Sequence, residues 1–200
     1  MHKWAKVFEP DTRYVDDGEY SIQVIVPEEQ AAHVCEQLDS MVNAKHAEAV
    51  KDNPKLKTVL STRQSYTQDV DEAGNPTGNL VFKAKMKALV KSKDGQSWEQ
   101  KPMVVDAKRT PMQGTALIGN GSLVNVAVEP VPYMMLATKQ VGVTLRLKAV
   151  QVINLVEYGG STASIFDEED GYVTSAVTKD DAADVFNSED GVNDANEGDF

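Results

Sequence analysis

A small, mainly antiparallel β-barrel with one helical cap is the fold the sequence predicts, and three observations predict it. Six or seven segments alternate apolar and polar residues at the strand period of two. One stretch, from Pro27 to about Val50, carries the three- and four-residue spacing of an amphipathic helix. The βα alternation of a parallel sheet is missing. About 160 residues precede an atypical C-terminal segment, enough for one domain with a hydrophobic core.

Lys3 to Phe8 reads as a short strand, with Trp4, Lys6 and Phe8 on one face and Lys3, Ala5 and Val7 on the other. Membership of alternating strands favours core positions for Trp4, Phe8 and Phe82. Glu9 to Gly18 is a loop by its turn residues. Tyr20, Ile22, Val24 and Val26 line one face of a second strand that Pro27 closes. Pro27 followed by Glu28 and Glu29 also starts the helix, because proline lacks a donor that the first turn leaves unused and acids suit the positive end of the dipole. Ala31, Val34, Cys35, Leu38, Met41, Val42 and Ala49 form its apolar stripe, and it ends before Asn53-Pro54. Cys35 on that stripe is a packed thiol, while His33 and His46 fall elsewhere and are solvated.

Residues 55 to 79 are polar and predict a long loop, with short extended pieces at Thr58–Leu60 and Ser65–Thr67. From Leu80 to Lys91 the alternation sharpens: Leu80, Phe82, Ala84, Met86, Ala88 and Val90 face one way, and Lys83, Lys85, Lys87 and Lys91 the other. Lys93-Asp94-Gly95-Gln96 turns the chain and Trp98 to Val105 returns as a hairpin partner. Asp106 to Gly114 is a loop holding Lys108 and Arg109. After the Gly119-Asn120-Gly121 turn, Leu123 to Val131 is a strand interrupted by Pro130-Val131-Pro132-Tyr133. A final strand sets Val143, Leu145, Leu147 and Ala149 against Thr144, Arg146, Lys148 and Val150 and runs to about Tyr158, before Gly159-Gly160 ends the body.

Charge divides the chain sharply. From Asp167 onward twelve acids face the single base Lys179, a charge of −11, which is the formal charge of the whole protein. The body is therefore neutral. Between Leu80 and Lys148, however, eleven bases outnumber four acids by seven, so the neutral body is polarised along its sequence. Lysines on one strand face suit a phosphate backbone, and they equally suit a solvated edge that discourages pairing. Binding a single strand also needs aromatic rings, since every base offers a π-face. Tyr133, in a proline-flanked segment, is the first candidate, and Trp98 beside the hairpin turn is the second.

Enzymatic chemistry has little to stand on. The chain has no Gly-x-x-x-x-Gly-Lys, His-Glu-x-x-His or Cys-x-x-Cys pattern, and its densest acid cluster, Asp167 to Asp170, lacks the ligand spacing of a calcium loop. One cysteine excludes an internal disulfide, and three scattered histidines assemble no metal site, so no cofactor or metal is expected. The start, Met1-His2-Lys3-Trp4, lacks the apolar run of a secretory signal, and no membrane span is expected.

Val104-Val105-Asp106-Ala107-Lys108, Ile118-Gly119-Asn120-Gly121-Ser122, Val131-Pro132-Tyr133, Leu145-Arg146-Leu147 and Gly159-Gly160 before an acidic end at Gly198-Asp199-Phe200 occur in that order. In order, spacing and terminal aromatic, the chain resembles the single-stranded DNA-binding proteins of T7-like bacteriophages. The resemblance implies an OB-fold, an antiparallel Greek-key barrel with one capping helix, over residues 1–160. Residues 161–200 would be an acidic, largely disordered tail, as their composition also suggests. It further implies binding of single-stranded DNA in replication, recombination and repair, in the cytoplasm of an infected bacterial host, by a homodimer. The tail would recruit the phage DNA polymerase and helicase-primase through Asp194, Glu197, Asp199 and Phe200. Tyr133 matches a base-stacking tyrosine of the family. Met135 stands where the family has a tryptophan, so a second stacking platform falls to Met135 itself, Trp98 or Trp4. Lys108 and Arg109 fall in the family's basic loop and join Lys83, Lys85, Lys87 and Lys91 as backbone contacts. The alternative is an acidic interaction protein whose tail mimics nucleic acid and whose barrel is a scaffold.

Overall fold

The computed structural model describes residues 2–92, 94–114 and 117–156, and every absence stated below is an absence among them. The tail expected at 161–200 lies outside the described residues. The barrel is organised on its last strand, β10 (Gln140–Asn154). One edge of β10 carries β9 (Leu123–Met135) as an antiparallel partner from Gln140 opposite Met135 to Asn154 opposite Leu123. The other edge is shared by three strands in turn, all parallel to it: β3 (Ser61–Arg63), β5 (Pro76–Lys87) and β8 (Met103–Val105).

β5 extends the sheet. Its alternation buries Leu80, Phe82, Ala84 and Met86 and turns Lys83, Lys85 and Lys87 outward. It pairs with β2 (Glu19–Pro27) on one edge and with β4 (Tyr66–Val70) on the other, and β2 pairs with β1 (His2–Asp11). Between β1 and the turn entering β9, a hydrogen bond from the Trp4 backbone N–H to Asn120 Oδ1, 2.9 Å, helps bring the barrel nearly to closure. Ile22, Val141, Leu147 and Val150 are among its most deeply buried side chains.

The helix α1 (Glu28–Asp52) forms where its signals place it. Pro27 stands at its N-cap, Glu28 and Glu29 fill its first turn, and the Asn53 N–H closes on the Ala49 carbonyl at 3.0 Å. Ala31, Cys35, Leu38, Val42 and Ala49 are buried, whereas Val34 is exposed. The Cys35 thiol is packed as expected, and burial pushes its pKa up. His33 is exposed, but His46 is half-buried with a ring nitrogen 3.3 Å from the Leu60 carbonyl.

The structure corrects several details of the alternation. The polar stretch 55–79 holds a 3-10 turn at Pro54–Thr58, β3, β4 and the start of β5, because edges of β5 and β10 recruit exposed strands that carry little apolar pattern. The return expected over Trp98 to Val105 divides: β6 (Leu89–Lys91) and β7 (Ser97–Glu99) make the hairpin, while β8 joins β10. β9 runs unbroken through Pro130 and Pro132. Two prolines two apart share one orientation, so both missing N–H groups fall on the edge away from β10, where no strand is paired. In β10, Lys148 is an extra residue between Leu147 opposite Val128 and Ala149 opposite Ala127. That bulge exchanges the faces, so Val150 and Val152 are buried rather than Ala149. Trp4 is 67% exposed and not core. It occupies the irregular step between Lys3 and Lys6 with a left-handed φ of 54°, a conformation that costs a non-glycine residue about 1–2 kcal/mol and that the bond to Asn120 helps hold. Phe82 is buried as expected, whereas Phe8 is only half-buried against the core, and the buried residue of β1 is Val7 on the opposite face.

Candidate nucleic-acid interface

A groove of about 560 Å³ runs between the β6–β7 hairpin and the outward face of β5, β10 and β9. Lys85 and Lys87 of β5, Trp98 of β7, Tyr133 of β9 and Arg146 and Lys148 of β10 all line it. Period-two alternation on three neighbouring strands explains the convergence. Lys85 lies opposite Arg146 in the β5–β10 pair, and Arg146 lies opposite Glu129 in the β10–β9 pair.

Trp98 reaches the groove because the hairpin is bolted to the end of β5. The Gln100 N–H donates to the Ala88 carbonyl and Gln100 Nε2 to the Lys87 carbonyl, each at 2.9 Å, and the Leu89 N–H donates to the Asp17 carbonyl at 3.1 Å. The indole is half exposed. Tyr133, directly opposite Gly142 on β10, is half-buried.

Like charges placed side by side, as Lys85 and Arg146 are, repel. The fold answers each with an acid: Lys85 Nζ lies 2.6 Å from Glu19 Oε1, and Glu129 Oε2 lies 2.7 Å from Lys148 Nζ and 3.5 Å from Arg146. Hydrogen bonding to Lys148 and its charge, with Arg146 adding to them, hold the Glu129 carboxyl below its usual pKa. Lys87 sits opposite Glu19 in register, yet Glu19 bonds Lys85, leaving Lys87 with no ion pair among the described residues. Four cations against two acids leave the groove positive.

The other expected contacts are distributed around this centre. Lys83 is exposed on β5, one outward position before Lys85, with no ion pair among the described residues. Lys91 is drawn to Asp17 at 2.6 Å and does not line the groove. Met135 is 49% exposed at the end of β9, on the face that carries Tyr133, beyond the lining. Lys108 and Arg109 sit on a separate loop shaped by Asp106, whose carboxylate accepts the Lys108 and Thr110 N–H groups at 2.8 Å and is held at a lowered pKa by the Thr110 bond first. Arg109 is left-handed there, with φ 69°, and Gln151 Nε2 ties the loop to β10 through the Ala107 carbonyl at 3.2 Å. Asp194, Glu197, Asp199 and Phe200 lie outside the described residues. Selection by motif does not place Arg146 and Lys148 in the groove they line, although the strict alternation of Thr144, Arg146 and Lys148 with buried Val143, Leu145 and Leu147 is the signal.

A second cavity, of about 520 Å³ between α1 and the barrel, is lined by Val24, Ala31, Leu38, Phe82 and Val126 among others and by no cation, so it offers nothing to a phosphate. Among the described residues no cluster of histidine, cysteine or acidic side chains could hold a metal ion, and no helix is long and apolar enough to cross a membrane.

A family model described as the single-stranded DNA-binding protein of bacteriophage T7 matches residues 2–155. The single-stranded DNA-binding protein of Escherichia phage T7 is 32% identical over 117 residues, which are 57% of this chain and 50% of that protein, so the match spans half of that relative. The crystal structure of the bacteriophage T7 single-stranded DNA-binding protein superposes with a TM-score of 0.64 at 24% identity, covering 86% of this chain and 92% of that one. The bacteriophage Enc34 single-stranded DNA-binding protein in complex with single-stranded DNA gives 0.51 at 15% identity, with coverages of 80% and 85%. These likenesses identify the nearly closed, mainly β barrel with its one helix as an OB-fold. With its family model extending over residues 2–155, the chain belongs to the bacteriophage T7 single-stranded DNA-binding protein family.

Proposed function

We propose that the protein binds single-stranded DNA in the groove between the β6–β7 hairpin and the outer face of the barrel, and coats exposed strands during phage DNA replication, recombination and repair. The observation that carries this reading is the meeting of Trp98 and Tyr133 with Lys85, Lys87, Arg146 and Lys148 in one groove. Stacking on aromatic rings is worth about 1–3 kcal/mol per base and is indifferent to sequence, while the cations neutralise the backbone. Together they hold any single strand. The loop with Lys108 and Arg109, tied to β10 by Gln151, extends the cationic track.

Residues 161–200 act in this reading as a built-in competitor. Their charge of −11 resembles that of the DNA, and they occupy the groove when DNA is absent. Displaced by DNA, they recruit the phage DNA polymerase and helicase-primase through Asp194, Glu197, Asp199 and Phe200, in the cytoplasm of the infected host.

The test is fluorescent oligo-dT binding over a range of salt. Tyr133→Ala weakens binding by about 1–3 kcal/mol and leaves the salt slope unchanged, since stacking is not counterion release. Lys87→Ala makes the slope of log K against log salt shallower by about 0.7. A wild-type protein that does not bind oligo-dT, or a Tyr133→Ala slope that falls as far as that of Lys87→Ala, overturns the reading.

A further inference from the structure

Gly142 lies in the barrel's longest strand, where glycine gives up both side-chain packing and strand propensity. Its φ is not left-handed, so no backbone requirement calls for glycine there. The reason lies across the ladder. A Cβ built on Gly142 would stand 2.7 Å from the Tyr133 hydroxyl oxygen, 2.9 Å from its Cζ and 3.0 Å from its Cε1, and the three atoms nearest to it all belong to that one side chain. The hydroxyl end of Tyr133 therefore lies directly over the glycine, in space that any other residue would fill.

We propose that Gly142 is a positioning residue for DNA binding: its missing side chain is the seat that fixes the pose of the Tyr133 ring beside Thr144 and Arg146 in the groove. The inference rests on the reading of that groove as the single-stranded DNA site. Two consequences follow from the geometry. A ring held across β10 is ordered before a base arrives, so less conformational freedom is lost on binding. The seat also keeps the ring low on the strand, where a base stacked on it brings its phosphate within reach of the neighbouring cations. Alanine at 142 drives the ring off its seat, because at 2.7 Å something must shift and the clashing atoms are the far end of the Tyr133 side chain, which moves aside more readily than either strand's backbone.

The experiment is a double-mutant cycle on the full chain with Gly142→Ala, Tyr133→Ala and the pair, read by oligo-dT binding over a range of salt and by thermal unfolding. Gly142→Ala is expected to weaken binding about five-fold or more, the lower end of what one stacked base supplies, with the salt slope unchanged. In the Tyr133→Ala background the same substitution costs nothing further in affinity or in Tm, because the ring it would strike is gone. If Gly142→Ala alone fails to fold, the pair is still expected to fold and to bind as Tyr133→Ala does. The seat is overturned if Gly142→Ala binds as wild type while Tyr133→Ala is weakened. It is equally overturned if Gly142→Ala costs as much in the Tyr133→Ala background as in the wild-type chain, or if the pair does not fold. Wild-type affinity in Tyr133→Ala would instead defeat the underlying reading of Tyr133.

Discussion

Glu129 is the residue on which the electrostatics of the groove turn. Its carboxylate draws Lys148 to 2.7 Å and Arg146 to 3.5 Å, so in the proposed binding mode both cations would meet DNA already partly neutralised. A phosphate bound there would have to take over the role of Glu129, and each cation would then release fewer condensed counterions than an unpaired one. Glu129→Gln keeps the shape and removes the charge. We expect it to tighten oligo-dT binding at low salt and to steepen the slope of log K against log salt, by up to about 0.7 for each cation it frees. Unchanged affinity and slope would mean that Arg146 and Lys148 do not meet the backbone.

At the scale of elements, the two tryptophans are presented by different devices, and only one device faces the groove. The β6–β7 hairpin, fastened through Gln100, carries Trp98 into the lining. The irregular step in β1 turns Trp4 out beside Asn120. Because the chain has only these two tryptophans, Trp4→Phe leaves Trp98 as the sole reporter. Oligo-dT is expected to quench its emission in that variant and to leave the emission of Trp98→Phe largely unchanged; the reverse pattern would move the stacking site to β1.

The contrast between these elements also shows what the sequence could reveal. The alternation of β5 and the stripe of α1 were legible because burial alone fixes them. Alternation alone puts Trp4 in the core, because the irregular step it occupies, helped by a backbone bond to Asn120, 116 positions away, is not legible locally. Alternation misses the phase of β10 beyond Leu147, because the extra residue at Lys148 leaves no mark on composition. β3 and β4 read in the sequence as loop with short extended pieces, since a neighbour's open edge rather than their own apolar pattern makes them strands. Tyr133, Trp98, Lys85 and Lys87 could be named as site residues one by one, but their meeting depends on register. For the same reason the sequence does not show that Lys91 is held by Asp17 away from the groove, or that Arg146 and Lys148 line it.

For the whole molecule, the decisive feature is the division between a neutral body with a cationic groove and a C-terminal segment of charge −11. If that segment competes with DNA for the groove, its removal exposes the full cationic surface. If it acts only as a partner-binding end, its removal leaves DNA affinity alone. The measurement that separates these is a salt titration of fluorescent oligo-dT binding by the full chain and by a chain ending at Gly160, side by side. The account predicts tighter binding by the shortened chain at low salt, and for it a slope near about −3.5, as expected when about five phosphates of a single strand are neutralised. Equal affinities at low salt would contradict the competition, and no affinity in either chain would contradict the DNA-binding groove itself.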